Sequence, residues 1–135
     1  MNSPKVMVDR LVRAVNDHDL EALVACFAED YENETPAHPA RGFRGREQVR
    51  RNWGQMFAFV ADLRAEVKRM AIEGDTAWSE WEMTGTRRDG TAHHLRGVVI
   101  FEVEERVARW ARFYLEPVDL AAGTVDDAVR EQVVR

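Results

Sequence analysis

The stretch Phe27-Ala28-Glu29-Asp30-Tyr31-Glu32-Asn33-Glu34-Thr35-Pro36 stands between two helical patterns, and its reading decides the fold. Tyr31, Asn33 and Thr35 alternate with Glu32 and Glu34, the period-two pattern of a strand over 31–35 with one wet face. Pro36 has no N–H to give to a ladder and ends it. Upstream, Ser3 as N-cap and Pro4 at the first helical position open a helix with Met7, Leu11, Ala14 and Val15 as its apolar stripe, stopping near residues 16–18. Asp19 then caps a second helix whose stripe is Leu20, Leu23, Val24 and Phe27, with Cys26 beside it. Downstream, Pro36, Pro39, Gly42 and Gly45 mark a loop, and residues 46–60 carry Val49, Trp53, Met56, Phe57 and Val60 on one face of a third helix whose opposite face is basic.

Beyond that helix the period changes to two. Leu63, Ala65 and Val67 alternate on one phase and Met70 and Ile72 on the other, which predicts a bulge near Lys68 and Arg69. A strand over 76–86 follows the Glu73-Gly74-Asp75 turn, Asp89-Gly90 makes a hairpin, and strands over 93–103 and 106–115 turn around Glu104-Glu105. Pro117 closes the sheet. The order helix, helix, strand, helix, then four strands predicts an α+β domain over 1–135 whose helices cover one face of a curved antiparallel sheet. Residues 118–135 read as a tail or a short helix opened by the capping-box pattern Thr124 to Asp127, too short to be stable without docking.

With 135 residues and 45% apolar side chains the chain can bury a core without disulfides or metals. Its net charge of −5 has the wrong sign for a surface that grips nucleic acid or anionic lipid, so no nucleic-acid or membrane partner is expected. No apolar run approaches the ~20 residues of a membrane span. The sequence opens without the basic start and apolar stretch of a secretory signal, which predicts a cytoplasmic protein. The single Cys26 has neither a disulfide partner nor a CxxC context and reads as a small buried apolar residue.

The segment 27–36, the glycine-bearing loop and helix after it, and the meander ending in Trp110-Ala111-Arg112-Phe113-Tyr114-Leu115-Glu116-Pro117 together resemble the nuclear-transport-factor-2-like superfamily over residues 6–117. That group includes ketosteroid isomerases, SnoaL-like polyketide cyclases and limonene-epoxide hydrolases. The resemblance implies a cone-shaped sheet wrapped around three helices and an internal pocket. It also implies a cofactor-independent small-molecule enzyme of hydrolase, cyclase or isomerase type, or a binding module of the same fold. Ketosteroid isomerases carry a general-base aspartate before the proline that ends the first strand, where this chain has Thr35, and an acid on the third long strand, where it has Val99. Limonene-epoxide hydrolases hold their attacking water with a Tyr-x-Asn pair, matched here by Tyr31 and Asn33. Their arginine between two aspartates is not matched: the aligned positions on the strand 76–86 are Trp81 and Met83, and the last-strand aspartate position is Arg112.

These residues yield a candidate site. Tyr31 and Asn33, two apart on a strand, share a face and can hold one oxygen between them, with Arg112 to stabilise developing negative charge. Thr35, His38, Trp53, Phe57, Trp81, Met83, His94 and Tyr114 are candidate substrate contacts around a hydrophobic cyclic or polyketide-like molecule. On the strand 76–86 the favoured phase turns Ser79, Trp81 and Met83 inward. The opposite phase would set Glu82 against Arg112 across the pocket, and an unpaired carboxylate is costly to bury. In the favoured phase Trp78 lies on the outer face, as part of a homodimer interface. His93 and His94 are adjacent and face opposite ways, so they cannot share an ion without distortion, and no metal is expected. His18, at a helix end, reads as structural. Arg41, Arg44, Arg46, Arg50 and Arg51, opposed only by Glu47, read as solvated surface or as a site for an anionic substrate.

Overall fold

A computed structural model describes residues 3–134. Helices α1 (Ser3–Asp17) and α2 (Leu20–Val24) lead into strand β1 (Phe27–Glu34). A 3-10 turn (Pro39–Arg41) and strand β2 (Phe43–Arg44) precede helix α3 (Arg46–Phe59). Strands β3 (Arg64–Glu73), β4 (Thr76–Thr86), β5 (Ala92–Glu104) and β6 (Val107–Pro117) form the meander, and helix α4 (Val125–Val133) follows. The six strands make one curved, unclosed sheet in the order β2-β1-β6-β5-β4-β3. The α+β architecture expected from the order of elements is the one observed.

Four local expectations are corrected. Strand β1 begins at Phe27, so Phe27 is the first residue of the strand and not part of the α2 stripe, and Thr35 lies just beyond its end. The loop contains β2, which pairs with β1 through Asn33 opposite Phe43. Ser3 lies inside α1, and its hydroxyl accepts the Arg106 N–H at 3.1 Å. The sheet is mixed, because β1 runs parallel to β6; the long path between them does not impose the reversal that a hairpin does.

The two periodicities explain the layering. Met7, Leu11 and Val15 of α1 meet Leu23 of α2 and the inward residues Trp81 and Phe101 in one buried cluster. Asp19 caps α2, its carboxylate accepting from Ala22 N–H at 3.0 Å. Asn16 ties the end of α1 to β3 by accepting from Ala65 N–H at 2.7 Å and donating to its carbonyl at 3.0 Å. His18, at φ 53°, sits within hydrogen-bonding reach of the Leu63 carbonyl at 2.8 Å and stacks on Phe57 at 4.6 Å. The register of β3 on β4 shifts between Val67 and Arg69, at the expected bulge. At Gly97 an added Cβ would strike the Tyr114 carbonyl and the Leu115 Cα, so only glycine lets β5 and β6 approach this closely. None of the helices among the described residues is long and apolar enough to cross a membrane.

Candidate active site

Where the inner face of the sheet meets α3 there is a cleft of about 370 Å³. Apolar side chains from five elements form most of its wall, among them Phe27, Trp53, Met56, Met83, Leu95 and Phe113. Tyr31 and Asn33 point into it from β1, and the Tyr31 hydroxyl donates to Asn33 Oδ1 at 2.7 Å. Local structure fixes the pair: Gly45 N–H donates to the Tyr31 carbonyl at 2.6 Å, and the Phe27 and Phe43 rings pack edge-on against the phenol at 4.8 and 6.1 Å. Burial pushes the Tyr31 phenol above its ordinary pKa, because the phenolate would lose its hydration. Tyr31 is therefore a neutral donor at physiological pH and not a base.

The cleft wall also carries a carboxyl and a guanidinium. Glu116 lines the cleft, and its carboxylate lies 2.7 Å from His38 Nε2, both side chains half-exposed. Arg41 adds a guanidinium from the 3-10 turn, and Asn52 adds an amide from α3 that accepts from Gln48 at 2.8 Å. Among the described residues that line the cleft, Tyr31, Arg41 and Glu116 are the titratable ones. Asn52 was legible in the sequence, since it stands three residues after Val49 and four before Met56 on one helical face. Glu116 carried no such signal. Strand alternation from Phe113 and Leu115 turns it outward, and only the end of β6 at Pro117 and the loop bearing His38 bring it to the cleft.

The remaining candidates divide. Thr35, Trp53 and Met83 line the cleft, and His38 reaches it through Glu116. Phe57 turns to His18 instead. Trp81 is sealed in the core, where its indole N–H donates to Ser79 Oγ at 2.8 Å and Ser79 donates to the Val99 carbonyl at 2.7 Å. Arg112 is on the outer face, with Nε donating to Glu34 at 2.9 Å and its guanidinium over the Trp110 ring at 3.9 Å. It lines no part of the cleft, and the Glu82 to Arg112 pairing does not form. Glu82 meets His94 at 2.7 Å, Lys68 at 3.2 Å and Arg96 at 3.8 Å, also outside. His94 and Tyr114 are thus outer-face residues as well, Tyr114 being 42% exposed. The physical reason is shared: β4, β5 and, beyond the register shift at its start, β6 from Trp110 onward keep one phase, so Glu82, His94, Arg112 and Tyr114 fall opposite the buried positions. His93 is on the inner side without lining the cleft; its Nε2 is buried and has no hydrogen-bond partner, and burial first, then Arg87, lowers its pKa.

The basic cluster is largely neutralised by acids distant in sequence. Arg44 pairs with Glu32 at 2.6 Å, Arg46 with Glu29 at 3.7 Å, and Arg50 with Glu21 and Glu47. A larger hollow of about 590 Å³ between α1 and β3 is walled by Asp9, Arg64 and Glu66, but its Asn16 amide is already spent on the β3 backbone. The described residues contain no group of three or more His, Cys, Asp or Glu placed to hold a metal.

A family model of the SnoaL-like domain matches residues 8–113, and the chain belongs to that family. Among solved structures, a limonene-epoxide-hydrolase-like epoxide hydrolase of Mycobacterium tuberculosis is similar at 16% identity and a TM-score of 0.72, covering 85% of this chain and 83% of that one. RV0760c of the same organism, solved in complex with estradiol-17beta-hemisuccinate, is similar at 19% identity and 0.73, over 89% and 96% of the two chains. IdmH of Streptomyces antibioticus, a proposed polyketide cyclase, is similar at 21% identity and 0.72, over 84% and 91%. At these identities the likeness carries the fold, within the nuclear-transport-factor-2-like superfamily. No curated protein matches the chain.

Proposed function

We propose that this protein is a cofactor-independent enzyme that performs acid and base chemistry on a hydrophobic cyclic or polyketide-like molecule, as a hydrolase, cyclase or isomerase. The observation that carries the reading is the pairing of a neutral, buried Tyr31–Asn33 couple with a Glu116–His38 couple on the wall of one apolar cleft. Apolar walls suit a ring system, and at ordinary packing density about 370 Å³ holds roughly two or three fused rings. The estradiol hemisuccinate bound by RV0760c supports this ligand class. Tyr31 and Asn33 hold a water or a substrate oxygen. Glu116, with His38 as its partner, takes the acid and base role, because Tyr31 stays protonated and Arg112 is outside.

Removing one hydrogen-bond partner from such a site costs about 1–3 kcal/mol, which on a transition state slows turnover by roughly 5- to 150-fold. Turnover of a panel of polycyclic ketones, epoxides and polyketide-like esters, followed by mass spectrometry, tests the proposal. Asn33→Ala and Glu116→Gln should each lower kcat by that range or more while Arg112→Met leaves it unchanged. Activity indifferent to both cleft variants overturns it. A binding module is the second reading, favoured by Thr35 and the buried Val99 at positions where the isomerases of the superfamily hold acids. Saturable binding of the panel without turnover selects it.

The outer face supports a homodimer. Trp78 and Tyr114 are 47% and 42% exposed there, and the Trp110 indole N–H is buried without a partner. Light scattering after size exclusion should give twice the 15.5 kDa chain mass, shifted toward monomer by Trp78→Glu. A monomer at micromolar concentration excludes it.

A further inference from the structure

Helix α4 is well capped, yet its apolar side chains are exposed among the described residues. Thr124 Oγ1 accepts from Asp127 N–H at 3.1 Å, and the Asp127 carboxylate accepts from Thr124 N–H at 3.2 Å. Val125, Val129 and Val133, spaced at i, i+4 and i+8, make one apolar stripe and are 77%, 51% and 70% exposed. Nine residues of helix do not hold together in water without a surface to lie on.

The same end of the molecule offers such a surface. A groove of about 480 Å³ runs along the C-terminal end of α3, floored by Met56, Phe59 and Val60 and edged by Arg87 and Arg88. Phe59 is half-exposed, covered on one ring face by the Arg88 guanidinium at 4.2 Å. Met56 lines both this groove and the cleft, so a helix lying here would close the cleft's side.

Register shows that α4 can reach it. Val118 N–H donates to the His94 carbonyl at 2.9 Å, pinning the chain to the sheet there. His94 stands opposite Thr84, and an added Cβ at the next residue, Gly85, would strike Val60. The exit point is therefore two strand spacings, about 10 Å, from the groove floor. Residues 119–124 span up to ~20 Å, enough with slack. Charge agrees as well. Asp126 in the first turn makes no ion pair within 4 Å among the described residues, while Arg87 and Arg88 edge the groove; the remaining acid there, Asp89, is turned to the Thr91 N–H and hydroxyl, with Arg87 near it.

We infer that α4 is a lid of this chain: its valine stripe docks in cis on Met56, Phe59 and Val60, with Asp126 against Arg87 and Arg88, and closes the cleft. Hydrogen exchange of amides 125–133 in the full chain tests it. The expected result is exchange at least ~10-fold slower than in a free helix of this length, equal at low and high micromolar concentration. Phe59→Asp should abolish that protection, and Arg87→Glu with Arg88→Glu should reduce it. Adding Asp126→Arg to the double charge reversal should restore it. Exchange at free-helix rates in the wild type overturns the inference. Protection that grows with concentration overturns it in favour of a second copy, and protection that survives Phe59→Asp moves the helix elsewhere. A double reversal that Asp126→Arg does not rescue overturns the charge pairing. Phe59, Arg87 and Arg88 are exposed or half-exposed, so these variants keep the fold.

Discussion

The two faces of strand β4 carry polar atoms in opposite ways. Inside, Ser79 and Trp81 are buried, uncharged and joined in a chain of two hydrogen bonds that ends on a β5 carbonyl. Outside, Glu80 and Glu82 stand one residue away, and Glu82 is held by His94, Lys68 and Arg96. Strand β1 repeats the contrast, with Tyr31 bonded to Asn33 inside and Glu32 and Glu34 paired to Arg44 and Arg112 outside. A neutral bond needs little desolvation and can be buried, whereas an ion pair at the surface keeps its water and is worth little. The cleft therefore holds a neutral buried pair on β1, and its other titratable side chains, Arg41 and Glu116, are the more exposed ones.

The largest test of that contrast is the contact that brings β5 and β6 together. Gly97→Ala puts a methyl against backbone and not against a movable side chain, so it should cost about 3 kcal/mol or more and lower Tm by many degrees in calorimetry. A change of less than a few degrees would mean that the strands can part without cost. Next is Ser79→Ala, which strands the buried Trp81 N–H and should cost about 1–3 kcal/mol in a denaturant titration. A neutral result would show that the inner polar chain is no more valuable than the outer pairs.

The smallest effect is expected at Glu82. The His94 hydrogen bond first, and the Lys68 one second, hold its carboxyl below the usual carboxylate pKa. A depressed pKa gives stability that is present above the unfolded value and is lost as pH falls through the folded one. Glu82→Gln should thus flatten the acid limb of a Tm against pH curve and leave its shape near neutrality alone. His93 works at higher pH and with the acid form disfavoured. Its lowered pKa makes the fold lose stability as pH drops below the unfolded value of ~6.5, until the folded value is reached. A curve flat from pH ~7 to ~5 in the wild type would exclude that contribution.

Much of this was legible residue by residue. The alternation over 76–86 gave both the strand and its phase, and the switch from Val67 to Met70 gave the bulge, because a half-buried strand writes its two faces into the sequence. Tyr31 and Asn33 share a face for the same reason, since residues two apart on one strand point the same way whatever the rest of the chain does, while their role as a site pair is what the resemblance implies. The sequence by itself determined these period-bound features, along with the helix caps at Asp19 and Thr124, since each depends on neighbours within a few positions. Tertiary structure alone decided the rest. Arg112 found Glu34 across the parallel β1–β6 pair, Glu116 found His38 across 78 residues, and the lone-looking arginines of 44–50 found their acids on β1 and α2. Such partners are chosen by strand order and loop path, which no local pattern encodes, because an ionic side chain is satisfied by any opposite charge that the fold carries to within reach.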